Sequence, residues 1–181
     1  YLMRFLFFSL WGIIMIVLAL AAVIHINTNF FIVNRVRFFS DKIPRGEAIK
    51  ILQITDMHNK FFDGENRRLL EKIKQTKPDL IVVTGDFIDA RTKDFSDALG
   101  FGKGLAETCQ VFFVSGNHEW RNKNRKKLVE GLEARGVQVL TNQNKVIAVR
   151  DVKINIAGVD DFSSRHADLK KALSGIENDY F

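Results

Sequence analysis

Hydrophobic residues are concentrated at the start of the chain, where positions 5–26 contain no Lys, Arg, Asp or Glu. About 20 consecutive apolar residues are enough for a helix to cross a bilayer. A soluble helix this apolar would need protein on every side, which a chain of 181 residues can hardly provide. The pattern therefore predicts a transmembrane anchor over residues 1–27 and a single-pass protein of the cell membrane.

The same segment also fits a cleavable signal peptide. Arg4 would be its short basic start, and Ala19-Leu20-Ala21 has the small residues of a cleavage site. Apolar residues continue to Ile26, which favours the uncleaved anchor. The side of the membrane stays open. Basic residues after the span favour a cytoplasmic C-terminal part, but large translocated domains often escape that rule.

The rest of the chain divides into a linker and one domain. Residues 28–46 are predicted to be a stalk, because mixed aromatic and basic residues precede the turn formers Pro44 and Gly46. Over residues 47–181, short apolar runs alternate with helical patterns, which indicates an α/β fold with a largely parallel sheet. The predicted strands are Ile49–Thr55, Leu80–Thr84, Val111–Ser115, Val137–Leu140, Val146–Val149 and Ile154–Ala157. The predicted helices are Glu65–Thr76, one within Arg91–Thr108, and Leu128–Arg135.

Composition narrows the class of protein. Hydrophobic residues make up 46% and charged residues 27%, which excludes a disordered or fibrous chain. The lone cysteine, Cys109, excludes a disulfide-stapled scaffold and is expected to be a buried structural thiol. The net charge of +6 comes from basic residues spread along the chain without a recognition module, so we expect no nucleic-acid partner.

Polar clusters follow each of the first three predicted strands. The clusters are residues 55–59, 85–89 and 116–119. In an open α/β sheet, ligands bind outside the carboxyl ends of the strands. Parallel neighbouring strands would bring five side chains to one edge of the sheet: Asp56, His58, Asp86, Asn117 and His118.

These residue types suit a divalent metal. Carboxylate and imidazole groups are common ligands of zinc, manganese and iron. A carboxylate on the middle strand, Asp86, can bridge two ions, and ions about 3.5–4 Å apart clamp both oxygens of a phosphoryl transfer. Gly85 and Gly116 would let the backbone turn sharply and approach a ligand closely.

Three ordered motifs carry a family resemblance: Asp56-Met57-His58, Gly85-Asp86-Phe87-Ile88-Asp89 and Gly116-Asn117-His118-Glu119. They resemble the first three signatures of the calcineurin-like metallophosphoesterases, most of all the membrane-anchored bacterial branch, and the resemblance covers residues 49–162. It implies an αββα sandwich and two divalent metal ions, with Mn, Fe or Zn as candidates. It also implies hydrolysis of phosphoester or pyrophosphate bonds by an activated hydroxide.

The resemblance further implies a role for each motif residue. His118 would protonate the leaving group or stabilise the transition state. Asp89 and Glu119 would support the site, since a carboxylate often hydrogen-bonds a ligating or catalytic histidine. The metal ligands would be Asp56 and His58 for the first ion, Asp86 as the bridge, and Asn117 for the second ion.

Two further histidine motifs of the family, nearer its C-terminus, have no match in this chain. His166 does not follow an apolar strand and is expected to lie in a surface loop. Both metals would then lack ligands. We therefore expect the chain to be the N-terminal part of a larger enzyme.

A basic segment follows the third motif, with five basic residues among positions 121–127. Arg121, Lys123 and Arg125 would steer phosphate substrates, and the segment could also touch anionic lipid. The alternative is the solvated start of a helix. Both interpretations stay open.

The sequence thus predicts a membrane-anchored, metal-dependent phosphoesterase. Its location suggests phosphorylated substrates that are lipid-linked or derived from the envelope. The alternative is a non-catalytic membrane protein that binds a metal or a partner on the same scaffold. A secreted phosphatase with a cleaved signal is the third hypothesis.

Overall fold

The computed structural model describes residues 2–60, 66–177 and 179–181. The chain forms two compact units, Tyr1–Arg37 and Phe38–Phe181. The first unit is built on one helix, α1, Leu2–Asn29. Near its end, Asn29 Nδ2 donates a hydrogen bond to the backbone oxygen of His25 at 2.9 Å.

The transmembrane anchor predicted for residues 1–27 is not supported. In the described part of the chain, no helix is both long enough and apolar enough to cross a membrane.

The second unit alternates strands and helices, as the sequence predicts. Its strands are β1 Ile51–Ile54, β2 Leu80–Thr84, β3 Gln110–Val114, β4 Val137–Val139, β5 Gln143–Val149 and β6 Val152–Gly158. Its helices are α2 Arg67–Thr76, α3 Ser96–Ala106, α4 Asn117–Arg121, α5 Arg125–Glu133 and α6 Leu169–Ala172. The predicted start of α2 at Glu65 lies outside the described residues. Helix α4 was not predicted, and α5 begins three residues earlier than expected.

The strands form two sheets. The main sheet has the order β1-β2-β3-β4, and every pair of neighbours in it is parallel. Strands β5 and β6 form an antiparallel hairpin, which is the second sheet. Because Ile54 pairs with Val83 and Thr84 with Val114, the first three strands end at the same edge. The polar clusters therefore begin side by side.

Alternating side chains of the main sheet are buried on its two opposite faces. Ile81 and Val83 of β2 belong to a core shared with Phe101 of α3 and Leu128 of α5. Successive side chains of a strand point to opposite faces, so the neighbouring positions of β2 serve a second core. That core joins the other face of the main sheet to the hairpin; its buried members are Leu80, Phe112, Leu140, Ile147, Val149, Val152 and Ile154. The layered arrangement confirms the predicted α/β sandwich.

Candidate active site

Backbone hydrogen bonds join the loops that follow β1 and β2. The N–H of Asp56 donates to Gly85 O at 3.2 Å, and the N–H of His58 donates to Asp86 O at 2.9 Å. Asp56, His58 and Asp86 all have left-handed backbones, with φ of 53°, 44° and 49°. Residues other than glycine adopt this region at an energetic cost, and such residues cluster at functional sites. The joined loops place the first two motifs next to each other.

Two glycines allow the loops after β2 and β3 to approach closely. Gly85 has φ +84°, and a Cβ on it would lie 2.7 Å from the Cα of Gly116. A Cβ on Gly116 would collide with the carboxylate of Asp86. The predicted close approach is confirmed for both glycines, and the predicted sharp turn is confirmed for Gly85, whereas the backbone of Gly116 is extended.

Glu119 is fully buried and holds these two loops together. Its Oε2 accepts the N–H of Asp86 at 2.8 Å and the N–H of Gly116 at 2.7 Å, while Oε1 accepts the N–H of Ile88 at 3.0 Å. Three charge-assisted hydrogen bonds offset the cost of burying a carboxylate. These backbone N–H groups take the place of the histidine that the resemblance implies as the partner of Glu119.

The side chains of the first two motifs converge. His58 Nε2 lies 3.7 Å from Asp56 Oδ1 and 3.9 Å from Asp86 Oδ2. The Asp56 side chain is 63% exposed and that of Asp86 is 17% exposed, so the site opens to solvent on the Asp56 side. Among the described residues, His58, Asp86 and His118 offer ligand atoms within 4.8 Å of one another. The structure thus brings His118, predicted to be catalytic, close to the predicted ligands.

Asp89 lies beside both histidines of the site. Its Oδ1 is 3.4 Å from His58 Nδ1 and 3.4 Å from His118 Nδ1. The two imidazole rings meet edge to face, with their centres 4.5 Å apart. The contact suits a supporting role beside His58, whose Nδ1 has no hydrogen-bond partner among the described residues.

The backbone of Ala90 contacts the imidazole of His118. Its N–H donates to His118 Nδ1 at 3.2 Å. In a neutral imidazole one nitrogen accepts and the other carries the proton. A neutral His118 ring that accepts this N–H at Nδ1 carries its proton on Nε2.

Asn117 begins helix α4, and its Oδ1 is buried without a hydrogen-bond partner among the described residues. An unsatisfied buried polar atom costs about 1–3 kcal/mol, so a ligand for this oxygen is expected. The next residue ties α4 to the middle strand, because the N–H of His118 donates to Asp86 Oδ1 at 3.0 Å.

Together these groups fit a divalent cation. The carboxylates of Asp56 and Asp86 each lie within 4 Å of His58 Nε2, and the Asn117 amide oxygen in the third motif has no partner among the described residues. Mixed oxygen and nitrogen donors of this kind bind zinc, manganese and iron.

Comparison with known proteins agrees with this geometry. Residues 49–176 match the calcineurin-like phosphoesterase family. The chain belongs to this family. The resemblance of the three motifs to the calcineurin-like metallophosphoesterases is therefore confirmed, and relatives of the chain carry the name metallophosphoesterase.

Relatives of this chain occur in bacteria and animals. The uncharacterized metallophosphoesterase YkoQ of Bacillus subtilis is 26% identical over 145 residues, which cover 77% of this chain and 53% of that protein. An uncharacterized metallophosphoesterase of Aquifex aeolicus is 31% identical over 150 residues, covering 81% and 55%. A bovine transmembrane protein with metallophosphoesterase domain is 27% identical over 152 residues, covering 76% and 34%. The chain thus spans about half the length, or less, of these curated relatives.

The basic residues after the third motif differ in their surroundings. Arg125 is partly buried, its Nε donates to Ser115 Oγ at 3.1 Å, and its guanidinium lies 3.8 Å from the ring centre of Trp120. These contacts hold Arg125 within the fold, so the steering interpretation does not fit it. Arg121 and Lys123 are exposed to solvent.

Motif analysis missed a polar network that joins the three loops. Buried Asn122 donates from Nδ2 to Thr92 O at 2.9 Å, and Asn59 donates from Nδ2 to Thr92 Oγ1 at 2.5 Å. The network links residues that follow the first, second and third motifs. The sequence gives one signal for this network: Asn59, Thr92 and Asn122 come shortly after the first, second and third motifs.

Proposed function

We propose that this protein is a metal-dependent phosphoesterase that hydrolyses phosphoester or pyrophosphate bonds with two divalent ions, Mn, Fe or Zn. The observation that carries the proposal is the convergence of His58 Nε2 on Asp56 Oδ1 and Asp86 Oδ2. Membership of the phosphoesterase family supports the same chemistry.

We assign Asp56 and His58 to the first ion, Asp86 to a bridging position and Asn117 to the second ion. The contacts of these residues support the assignment. His58 Nδ1 faces Asp89, which leaves Nε2 as the ligating atom. Asp86 uses Oδ1 to accept the N–H of His118, while Oδ2 faces His58. The unpaired Oδ1 of Asn117 gains a partner when a cation binds.

Bound divalent ions offset negative charge on the phosphoryl oxygens and lower the pKa of water. His118 supplies the proton. With Nδ1 occupied by the N–H of Ala90, its Nε2–H is the group that donates to the departing oxygen. The exposed Arg121 and Lys123 attract anionic substrate toward this edge of the sheet.

We further propose that α1 attaches the protein to a membrane, where lipid-linked or envelope-derived phosphoesters are its substrates. Large apolar side chains between positions 10 and 26 are exposed, and the charge-free stretch 5–26 surrounds them. Bovine and zebrafish relatives are named transmembrane proteins with a metallophosphoesterase domain. Co-sedimentation with lipid vesicles tests this attachment: recovery in the vesicle pellet supports it, and recovery in the supernatant contradicts it.

The substitution Asp86→Asn tests the catalytic proposal. We expect the wild-type chain to bind Mn²⁺ in calorimetry and to hydrolyse p-nitrophenyl phosphate. The variant should lose hydrolysis and bind Mn²⁺ about tenfold or more weakly. Its fold should persist, because the amide oxygen can still accept the N–H of His118. Asp151→Asn, in an exposed turn, is the matched control.

Each outcome of this experiment is decisive. Unchanged turnover in the Asp86→Asn variant would remove Asp86 from the metal site. Mn²⁺ binding by the wild-type chain without hydrolysis would favour the non-catalytic metal-binding alternative.

A further inference from the structure

Two side chains cover the indole of Trp120, which lies two residues after His118 on helix α4. The His166 ring stacks on it, with ring centres 3.7 Å apart and planes at 10°. The guanidinium carbon of Arg125 lies 3.8 Å from the ring centre. His166 is an exposed loop residue, as the sequence predicts, yet it reaches the helix of the third motif. Stacked aromatic pairs and cation–π contacts each stabilise such an arrangement.

The polar edge of the same indole is bound as well. Trp120 Nε1 donates to Asp160 Oδ1 at 3.3 Å. The Asp160 side chain is 1% exposed, and Arg125 Nη2 lies 3.8 Å from the same oxygen. A buried carboxylate needs such partners, so its place in the fold depends on Trp120 and Arg125.

Asn142 fixes the conformation of the segment 160–168 through hydrogen bonds. Its Oδ1 accepts the N–H groups of Asp160 and Asp168, each at 3.0 Å, and its Nδ2 donates to His166 O at 2.6 Å. Both ends of the segment and its histidine are therefore fixed to one buried side chain. The His166 ring is presented to Trp120 by a preorganised loop.

Helix α4 has five residues, Asn117–Arg121, and so short a helix has little stability of its own. Its orientation depends on side-chain contacts. We propose that Trp120 is a positioning residue: its contacts with His166 and Asp160 fix the orientation of α4 and, through it, Asn117 and His118. The consequence for metal binding rests on the function proposed above.

Hydrogen exchange of α4 tests the contact directly. The amides of Trp120 and Asn122 close the turns of this helix. In a His166→Ala variant we expect their exchange to accelerate about threefold to tenfold, because one stacking partner is lost. His166→Phe keeps an aromatic ring and should restore slow exchange. Lys170→Ala, an exposed neighbour in α6, is the control. Unchanged exchange in His166→Ala would overturn the proposal.

Mn²⁺ affinity separates positioning from a merely structural role. We expect His166→Ala to bind Mn²⁺ about threefold to tenfold more weakly, with His166→Phe and Lys170→Ala close to wild type. Faster exchange with unchanged Mn²⁺ affinity would overturn the positioning role. If the wild-type chain binds no Mn²⁺, the metal assignment of the proposed function fails, while the exchange rates still decide whether His166 and Trp120 hold α4.

Discussion

Glu119 Oε2 accepts the backbone N–H of Asp86 at 2.8 Å. A fully buried carboxyl of the third motif thereby sets the backbone of the residue that we assign to the bridging position. The same carboxyl accepts the N–H of Gly116, just before Asn117. One side chain therefore controls the geometry of two loops that carry proposed ligands.

Replacing Glu119 with Gln should destabilise the protein and weaken Mn²⁺ binding. The variant has one acceptor oxygen where three N–H donors converge, and a buried N–H without a partner costs about 1–3 kcal/mol. Chemical denaturation measures the first effect and calorimetry the second. Glu130→Gln removes an exposed ion pair with Lys126 and should change stability by less than about 1 kcal/mol. A loss equal to that of this control would contradict the role of Glu119.

The substitution Gly116→Ala should reduce Mn²⁺ affinity and hydrolysis. The added methyl group would collide with the carboxylate and the backbone nitrogen of Asp86, so the carboxylate must move. Gly100→Ala in α3 is the matched control, because its Cβ would meet no atom within 4 Å. That variant should be more stable by about 0.5–1 kcal/mol, since alanine favours a helix over glycine. Equal Mn²⁺ affinities in the two variants would argue against the close approach of Gly116 to Asp86.

Asp160 should make stability depend on pH. Burial raises the pKa of its carboxyl above the usual 3.8, although Arg125 and the hydrogen bond from Trp120 oppose the shift. The folded state therefore keeps the proton to higher pH than the unfolded state. Its contribution to stability is complete below 3.8 and is lost as pH rises through the raised pKa.

The variant Asp160→Asn isolates this contribution. Relative to wild type, its free energy of unfolding should increase as the pH rises from below 3.8 to neutral. Urea denaturation of both proteins at a series of pH values measures the difference. A difference that stays constant over this range would contradict the raised pKa.

Cys109 should react slowly with thiol reagents in the folded protein. Burial, with a smaller effect of the nearby Asp79 charge, raises the pKa of its thiol to about 11. The thiolate is the reactive form, and at pH 8 it makes up only about a thousandth of such a thiol. Reaction with Ellman's reagent should accelerate strongly in denaturant. Equal rates in the folded and denatured protein would contradict the raised pKa of this partly buried thiol.

The sequence predicts the main sheet well because buried parallel strands are short, continuous apolar runs. Strand β2 has the bounds predicted for it, Leu80–Thr84. Helix α4 escaped prediction because five residues are too few to show a helical period. Helix α5 begins at Arg125, among basic residues whose pattern gives no apolar stripe.

The sequence predicts where the site lies, but it does not predict the backbone conformations and hydrogen bonds within the site. Strand order and motif spacing place Asp56 and Asp86 at one edge, which the sheet confirms. Nothing in the sequence marks the left-handed backbone of Asp56, a conformation set by bonds to the next loop. The third motif likewise identifies Glu119 as a candidate residue, but it does not predict which atoms Glu119 hydrogen-bonds. The stack of His166 on Trp120 joins distant parts of the chain and leaves no periodic signal.

The main sheet has a further consequence for the order of events during synthesis. Its strands lie side by side in the order in which the chain contains them. Folding begins from the N-terminus while a chain is being made, so a sheet whose strands follow the chain order can add them one after another. The three motifs lie between residues 56 and 119, ahead of the hairpin β5–β6. The edge that carries the proposed ligands can therefore assemble on the ribosome before the layer that covers the sheet has emerged.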